Sequence, residues 1–147
     1  YTKRVREQWL DLNFDGMPDV SRYYDARERL ERVEYDVNFD ELVDIIEHYR
    51  DGRMTSREVD FGNDGRTETV RYYRSAELFR IELDEDGDGQ VDTWHFYDEQ
   101  GLARVGRDSD GDGNIDRWER RSSARRDRGA SAPAAPGAPG AAEGSGE

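Results

Sequence analysis

The segment DSDGDGNIDRWE, Asp108 to Glu119, carries carboxylates at its first, third, fifth and ninth positions. Gly113 stands at the sixth, Ile115 at the eighth and Glu119 at the twelfth. Oxygen donors at alternate positions of a glycine-bearing loop suit a hard cation such as calcium. The ligands would be the side chains of Asp108, Asp110, Asp112 and Asp116 and the backbone carbonyl of Asn114. Such a loop can join two helices or two strands. The residues on either side therefore decide the fold.

Laid under itself at a spacing of 24 residues, the chain aligns five acidic blocks of nine: DLNFDGMPD from Asp11, DVNFDELVD from Asp36, DFGNDGRTE from Asp60, DEDGDGQVD from Asp84 and DSDGDGNID from Asp108. The first step is 25 residues and the other three are 24. Tyr24, Tyr49, Tyr73 and Tyr97 recur between the blocks. Val5, Leu30, Met54, Leu78 and Leu102 each stand six residues before the next block. A fixed period of this length marks a repeat protein with one supersecondary unit per period. Charge divides the chain the same way: the blocks hold 19 of the 35 acidic residues and one base, Arg66. A merely solvated surface would spread its acids, so their concentration in the blocks favours cation binding.

The connecting segments read as strands. VDTWHFYDEQGLARVGRD fits a strand with Trp94 and Phe96 on one face, a turn from Asp98 to Gly101, and a returning strand with Leu102 and Val105. HYRDGRM contains Asp51-Gly52, a two-residue hairpin signal. Five or six residues on each side of a turn are too few for flanking helices. In the first two repeats, RYYDARERLERVEY and FDELVDIIEHY space apolar residues at helical intervals, with Tyr23, Ala26, Leu30 and Val33 in the first. Repeats three to five favour strands through Thr67, Thr69, Val70, Tyr72, Tyr73 and Trp94. A repeat keeps one architecture, so the predicted fold is all-β. Tandem hairpins of about 24 residues over 1–121 would form an antiparallel meander or solenoid-like sheet. The alternative is a set of loop-helix units. Glu119, at the twelfth position, is a candidate bidentate ligand as in an EF-hand loop; on the β reading nine residues suffice for a cation loop and Glu119 falls on the following strand, since Arg22, Glu47, Arg71 and His95 hold the same position in other repeats.

The loops are not equal. Asp108, Asp110, Asp112 and Asp116 form a full side-chain set, and Asp84, Asp86, Asp88 and Asp92 match it, with the carbonyl of Gln90 in place of that of Asn114. Asp11, Asn13, Asp15 and Asp19, with the carbonyl of Met17, make a third and slightly weaker set. Asp36, Asn38, Asp40 and Asp44 keep their oxygens but place Glu41 where a glycine would take a positive φ. The third block has Gly62 where the second donor should be.

Between strands, D-x-[DN]-x-D-G-x-x-D resembles the calcium loops of integrin-type propeller repeats. FYDEQGLARV resembles the Tyr-Asp repeats of bacterial wrapping β-shells. Asp11 to Trp118 as a whole is similar to the aspartate-rich tandem repeats of predicted bacterial outer-membrane lipoproteins. DVNFDELVDII also resembles dockerin, whose duplicated loop-helix units have a similar period, and the full DSDGDGNIDRWE segment fits the EF-hand loop. These resemblances imply a calcium-binding module of the extracellular space or cell envelope.

Composition adds limits. Leu, Ile, Val and Phe make up 17% of the 147 residues, and the formal charge is −13, a range in which chains struggle to build a core. There is no cysteine, so thiol chemistry and sulfur-ligated metals are excluded. No apolar run approaches the roughly 18 residues of a membrane span. Tyr1 is not an initiator residue, so an export signal would lie upstream. GASAPAAPGAPGAAEGSGE from Gly129 reads as a flexible tail, and 122–147 as a basic junction plus that tail. The negative field opposes nucleic acid. His48 and His95 fall at adjacent repeat positions that point to opposite strand faces, and no catalytic constellation stands out. The expected function is a non-enzymatic, calcium-stabilised spacer, scaffold or adhesion surface whose partners are calcium and a cell-surface protein or glycan. A carbohydrate-binding module using the Tyr and Trp columns and a dockerin-like docking module are the alternatives.

Overall fold

The computed structural model describes residues 6–120, which form ten strands: β1 (Glu7–Leu10), β2 (Val20–Tyr24), β3 (Leu30–Tyr35), β4 (Ile45–Arg50), β5 (Arg53–Val59), β6 (Thr69–Arg74), β7 (Glu77–Leu83), β8 (Thr93–Asp98), β9 (Gly101–Arg107) and β10 (Arg117–Arg120). They lie in one antiparallel sheet in sequence order. The expected all-β hairpin meander is therefore the fold, and no helix occurs among the described residues. Tyr1, Val5, Arg121 and the basic junction and tail expected over 122–147 lie outside those residues.

Each acidic block joins an odd-numbered strand to the next even-numbered one, and each short turn joins an even strand to the next odd one. All five blocks consequently line one edge of the sheet, with the turns along the other. Asp51 and Gly52 take φ of 52° and 75°, the left-handed pair that a two-residue hairpin turn requires. Ser75 and Ala76 do the same at 52° and 69° without a glycine.

The first turn is longer, which accounts for the 25-residue step. Asp25 shapes it: one carboxylate oxygen accepts the backbone N–H of Arg27 at 2.8 Å and of Arg29 at 3.0 Å, while Glu28 takes a φ of 62°. An aspartate that folds its own backbone into a turn does the work of the missing glycine. The helically spaced apolar residues of RYYDARERLERVEY thus separate onto two strands.

Every hairpin with a short turn carries a bulge in its second strand. Register passes from Phe96↔Arg104 to Tyr97↔Leu102, leaving Ala103 extra, and Glu31, Thr55 and Phe79 are extra in the same way. A bulge resets the two-residue alternation of faces. Leu102 and Val105, three apart, therefore share one face with the tyrosine column, while Trp94 and Phe96 lie on the opposite face. His48 and His95 also fall on opposite faces, as expected.

The sheet is a single layer. Val33, 2% exposed, is the one fully buried hydrophobic side chain among the described residues. Half-buried rows hold the rest: Leu10, Val20, Tyr35, Ile45, Val59 and Leu83 run beside the acidic edge on the tyrosine face. On the other face, arginines cover aromatic rings, Arg32 over Tyr23 at 4.4 Å and Arg80 over Tyr72 at 4.2 Å. Their alkyl stems and guanidinium planes shield apolar surface that no second layer covers.

Candidate metal centres

The acidic loops share one internal hydrogen-bond plan. The first carboxylate accepts the backbone N–H of the fourth and sixth residues: Asp84 from Gly87 at 2.7 Å and Gly89 at 2.8 Å, Asp108 from Gly111 at 2.8 Å and Gly113 at 2.6 Å. The fifth accepts from the seventh, Asp88 from Gln90 and Asp112 from Asn114, at 2.7 and 2.8 Å. The ninth reaches back to the second, Asp92 to Glu85 at 2.6 Å and Asp116 to Ser109 at 2.8 Å. Each carboxylate is thus aimed by main-chain donors, which wraps the loop around its own side chains.

Two groups of carboxylates could hold a metal ion. Asp84, Asp86 and Asp88 bring one oxygen each within 4.8 Å of one another, and so do Asp108, Asp110 and Asp116. The donor set is carboxylate oxygen alone, which suits a hard cation. Within the second group, Asp108 and Asp110 are shifted in opposite directions. Desolvation pushes the Asp108 carboxyl up, but the N–H groups of Gly113, Gly111, Asp110 and Asp112 outweigh it and hold that carboxyl below its ordinary value. The charges of Asp116 and Asp112 push Asp110 above its own, with desolvation adding to them. A cation placed among these oxygens would relieve that repulsion.

Asp92 and Asp112 serve their loops as hydrogen-bond acceptors outside the two groups of three. The candidate ligand Glu119 stands on β10 beside Arg107 at 3.6 Å and Arg117 at 3.8 Å, outside the group formed by Asp108, Asp110 and Asp116.

Loops one and two follow the same plan. Asp11 accepts from Phe14 and Gly16, Asp36 from Phe39 and Glu41, and the ninth-position Asp19 and Asp44 are buried. Asn13 and Asn38 donate their side-chain amides to Asp15 at 2.7 Å and Asp40 at 3.1 Å, so one neutral group separates the charges in each loop. The main-chain N–H groups of Met17 and Leu42 close these loops onto Asp15 and Asp40.

The third loop keeps much of the plan, with Asp60 accepting the N–H of Gly65 and Asp64 that of Arg66, but changes two of its side chains. Its ninth residue is the longer Glu68, whose carboxylate accepts the N–H of Phe61 at 3.1 Å and Gly62 at 2.9 Å. A Cβ on Gly62 would stand 2.7 Å from Glu68 Oε1. Glu68 Oε1 thus lies where a side chain on Gly62 would begin, and the loop has no side-chain oxygen at its third position.

Adjacent loops are stitched together. The N–H of each block's first residue donates to the carbonyl of the preceding block's last: Asp36 to Asp19 at 2.9 Å, Asp60 to Asp44 at 2.8 Å, Asp84 to Glu68 at 3.0 Å and Asp108 to Asp92 at 2.8 Å. Two strand spacings then separate neighbouring loops by about 10 Å, close to the range over which salt screens charges.

The acidic edge also carries apolar side chains that the search for ligands passed over. Of ten exposed large hydrophobic residues, eight lie in the first three loops: Leu12, Phe14, Met17, Val37, Phe39, Leu42, Val43 and Phe61. Phe14, 89% exposed, and Phe39 take φ of 65° and 64° where Gly87 and Gly111 stand in the last two loops.

The chain matches no family model and no curated protein. Among solved structures it is similar to accessory secretory protein 1, 2 and 3 of Streptococcus pneumoniae, at 12% identity over 73% of this chain and 22% of that one, with a TM-score of 0.44. It is also similar to a mutant of S. aureus TarM in complex with fondaparinux, alpha-GlcNAc-glycerol and UDP, at 13% identity, with a TM-score of 0.37 over 80% of this chain and 20% of that one.

Proposed function

We propose that the chain is a calcium-binding, calcium-stabilised repeat module of the extracellular space or cell envelope, acting as a spacer, scaffold or adhesion surface and not as an enzyme. The observation that carries this reading is the convergence of oxygens in the last two loops, where main-chain N–H groups aim the carboxylates inward. Calcium suits an all-oxygen set that mixes carboxylates with backbone carbonyls and has neither histidine nor cysteine. Loops with few carboxylates bind it at about 0.1 to 1 mM, a range useful where calcium is abundant outside cells. The tyrosine column favours packing over sugar binding, since Tyr49, Tyr73 and Tyr97 each stand opposite an apolar partner, Met54, Leu78 and Leu102.

Calcium titration followed by calorimetry and circular dichroism tests the proposal. Saturable heat at two or more sites, with a β-type spectrum that sharpens or holds, supports it. No heat of binding and a spectrum indifferent to calcium would reduce the blocks to acidic turns.

A further inference from the structure

Aligned by the repeat, the exposed apolar residues of the acidic edge fall into three rows. The second loop position holds Leu12, Val37 and Phe61, the fourth Phe14 and Phe39, and the seventh Met17 and Leu42. Loops four and five carry Glu85 and Ser109, Gly87 and Gly111, and Gln90 and Asn114 in those rows, so the apolar surface ends at loop three. The first three loops are joined along the edge: Asp36 donates to Asp19, Asp60 to Asp44, and the Asn63 side-chain amide to Asp40. Phe14 and Phe39 sit on left-handed backbone that disfavours a side chain, and a phenyl ring held exposed in that conformation points to a use for the ring. The same loops hold ten acidic residues against one base, Arg66, and Asp15, Asp40, Glu41 and Asp64 stand exposed among the apolar side chains. Apolar surface rimmed by one sign of charge marks an interaction site, and the partner that fits it carries the opposite sign.

We propose that the edge formed by loops one to three docks a cationic amphipathic helix of a partner protein. The helix lies along the edge with its apolar stripe on the three rows and its lysines and arginines against the carboxylates. Spacing selects a helix. Equivalent residues of adjacent loops stand two strand spacings apart, about 10 Å. Seven residues of an α-helix rise about 10.5 Å and return to the same face. An extended segment covers 10 Å in about three residues, an odd number, and so turns its side chain away. The partner therefore offers each loop an apolar residue at every seventh position, and about 14 residues reach from loop one to loop three. The negative field of the loops draws a cationic helix in and repels an anionic bilayer. None of these three loops contributes to the two convergent carboxylate groups, so the docking surface and the calcium reading stand or fall separately.

Calorimetry and circular dichroism of the full chain with a synthetic helix test the proposal, in whichever condition, calcium or chelator, keeps the sheet folded. The probe is a peptide of about 18 residues with Leu at the first and fourth positions of each heptad and Lys elsewhere. It binds at least about tenfold tighter than a peptide of the same composition whose leucines are shuffled off one face, and it gains helicity on binding. Phe14→Gly combined with Phe39→Gly weakens binding by about tenfold or more at unchanged charge. The melting temperature of that variant holds or rises, because glycine suits both backbones. Glu41→Gln weakens binding by about two- to threefold and flattens its salt dependence, whereas Glu99→Gln, in a turn at the opposite edge, leaves it unchanged. Equal affinity for the shuffled peptide, or no loss when the two phenylalanines are replaced, reduces the attraction to charge alone and overturns the proposal. Sedimentation of the chain with phosphatidylserine vesicles in place of any preference for the helical peptide overturns it too, making the edge a lipid surface.

Discussion

The Tyr49 hydroxyl donates to the Glu47 carboxylate across 2.7 Å, tying the tyrosine column to a carboxylate that is 4% exposed in the middle of the sheet. Tyr35 donates to the same group at 3.0 Å and Arg57 Nε at 2.9 Å. Burial pushes the Glu47 carboxyl up, but the bonds from Tyr49, Arg57 and Tyr35 outweigh it and hold it below its ordinary value. Burial, and then the bond to Glu47, pushes the Tyr49 hydroxyl up to about 12.

The pH dependence follows in two directions. A carboxyl held low stabilises the fold above its unfolded value of about 4.5, and that stability is lost as the pH falls through the folded value. A hydroxyl held high stabilises below about 10, and the gain is lost as the pH rises toward about 12. Phenolate absorbance should show a late-titrating tyrosine in the intact chain, and Glu47→Gln should bring it earlier. Glu47→Ala, which strands two hydroxyls and a guanidinium, should cost roughly 2 to 4 kcal/mol in denaturant unfolding.

Metal dependence should track loop geometry. Asp86→Ala and Asp110→Ala each remove an oxygen from a convergent group, so calorimetry should lose one site in each variant, while Asp64→Ala in the third loop should leave the stoichiometry unchanged. Raising calcium from Kd to 100 Kd at two sites adds about 4 to 5 kcal/mol, so excess chelator should lower the melting temperature steeply. An identical melting curve in chelator would count against the metal reading.

Side chains at positive φ mark places where glycine should stabilise. Phe14, Phe39, Glu41 and Ala76 take φ between 64° and 72°. Replacing any of the four by glycine relieves about 1 kcal/mol of left-handed strain, offset in part by the entropy that glycine brings to the unfolded chain. Melting temperatures should rise or hold for Phe14→Gly and Glu41→Gly, where ordinary loop positions would show a loss.

Gly106 should tolerate nothing larger. A Cβ there would lie 2.7 Å from Ile115 Cδ1 and 2.9 Å from its Cγ2, because loop five folds that side chain over the strand. Gly106→Ala should destabilise by about 1 to 3 kcal/mol, and adding Ile115→Ala should recover much of the loss.

The repeat and the acidic blocks were legible because each has its own period, and the strands followed from the turn signals between them. Three features were not. The turn at Asp25 lacks glycine and is made by a side chain folding its own backbone. The bulges at Glu31, Thr55, Phe79 and Ala103 leave no composition signal, so a plain alternation assigns Leu102 and Val105 to different faces. The approach of Glu68 Oε1 to Gly62 needs coordinates, since the sequence shows only an absent donor.

In this sheet each strand pairs only with its neighbours in the chain. All-β proteins usually fold slowly because distant segments must meet before any contact rewards them. Here the longest loop to close is one nine-residue block, so any single hairpin can serve as a nucleus and growth can zip outward from it, one strand at a time. The same locality makes the terminal strands the first to fray, and amide exchange should report protection that falls from the middle strands toward β1 and β10.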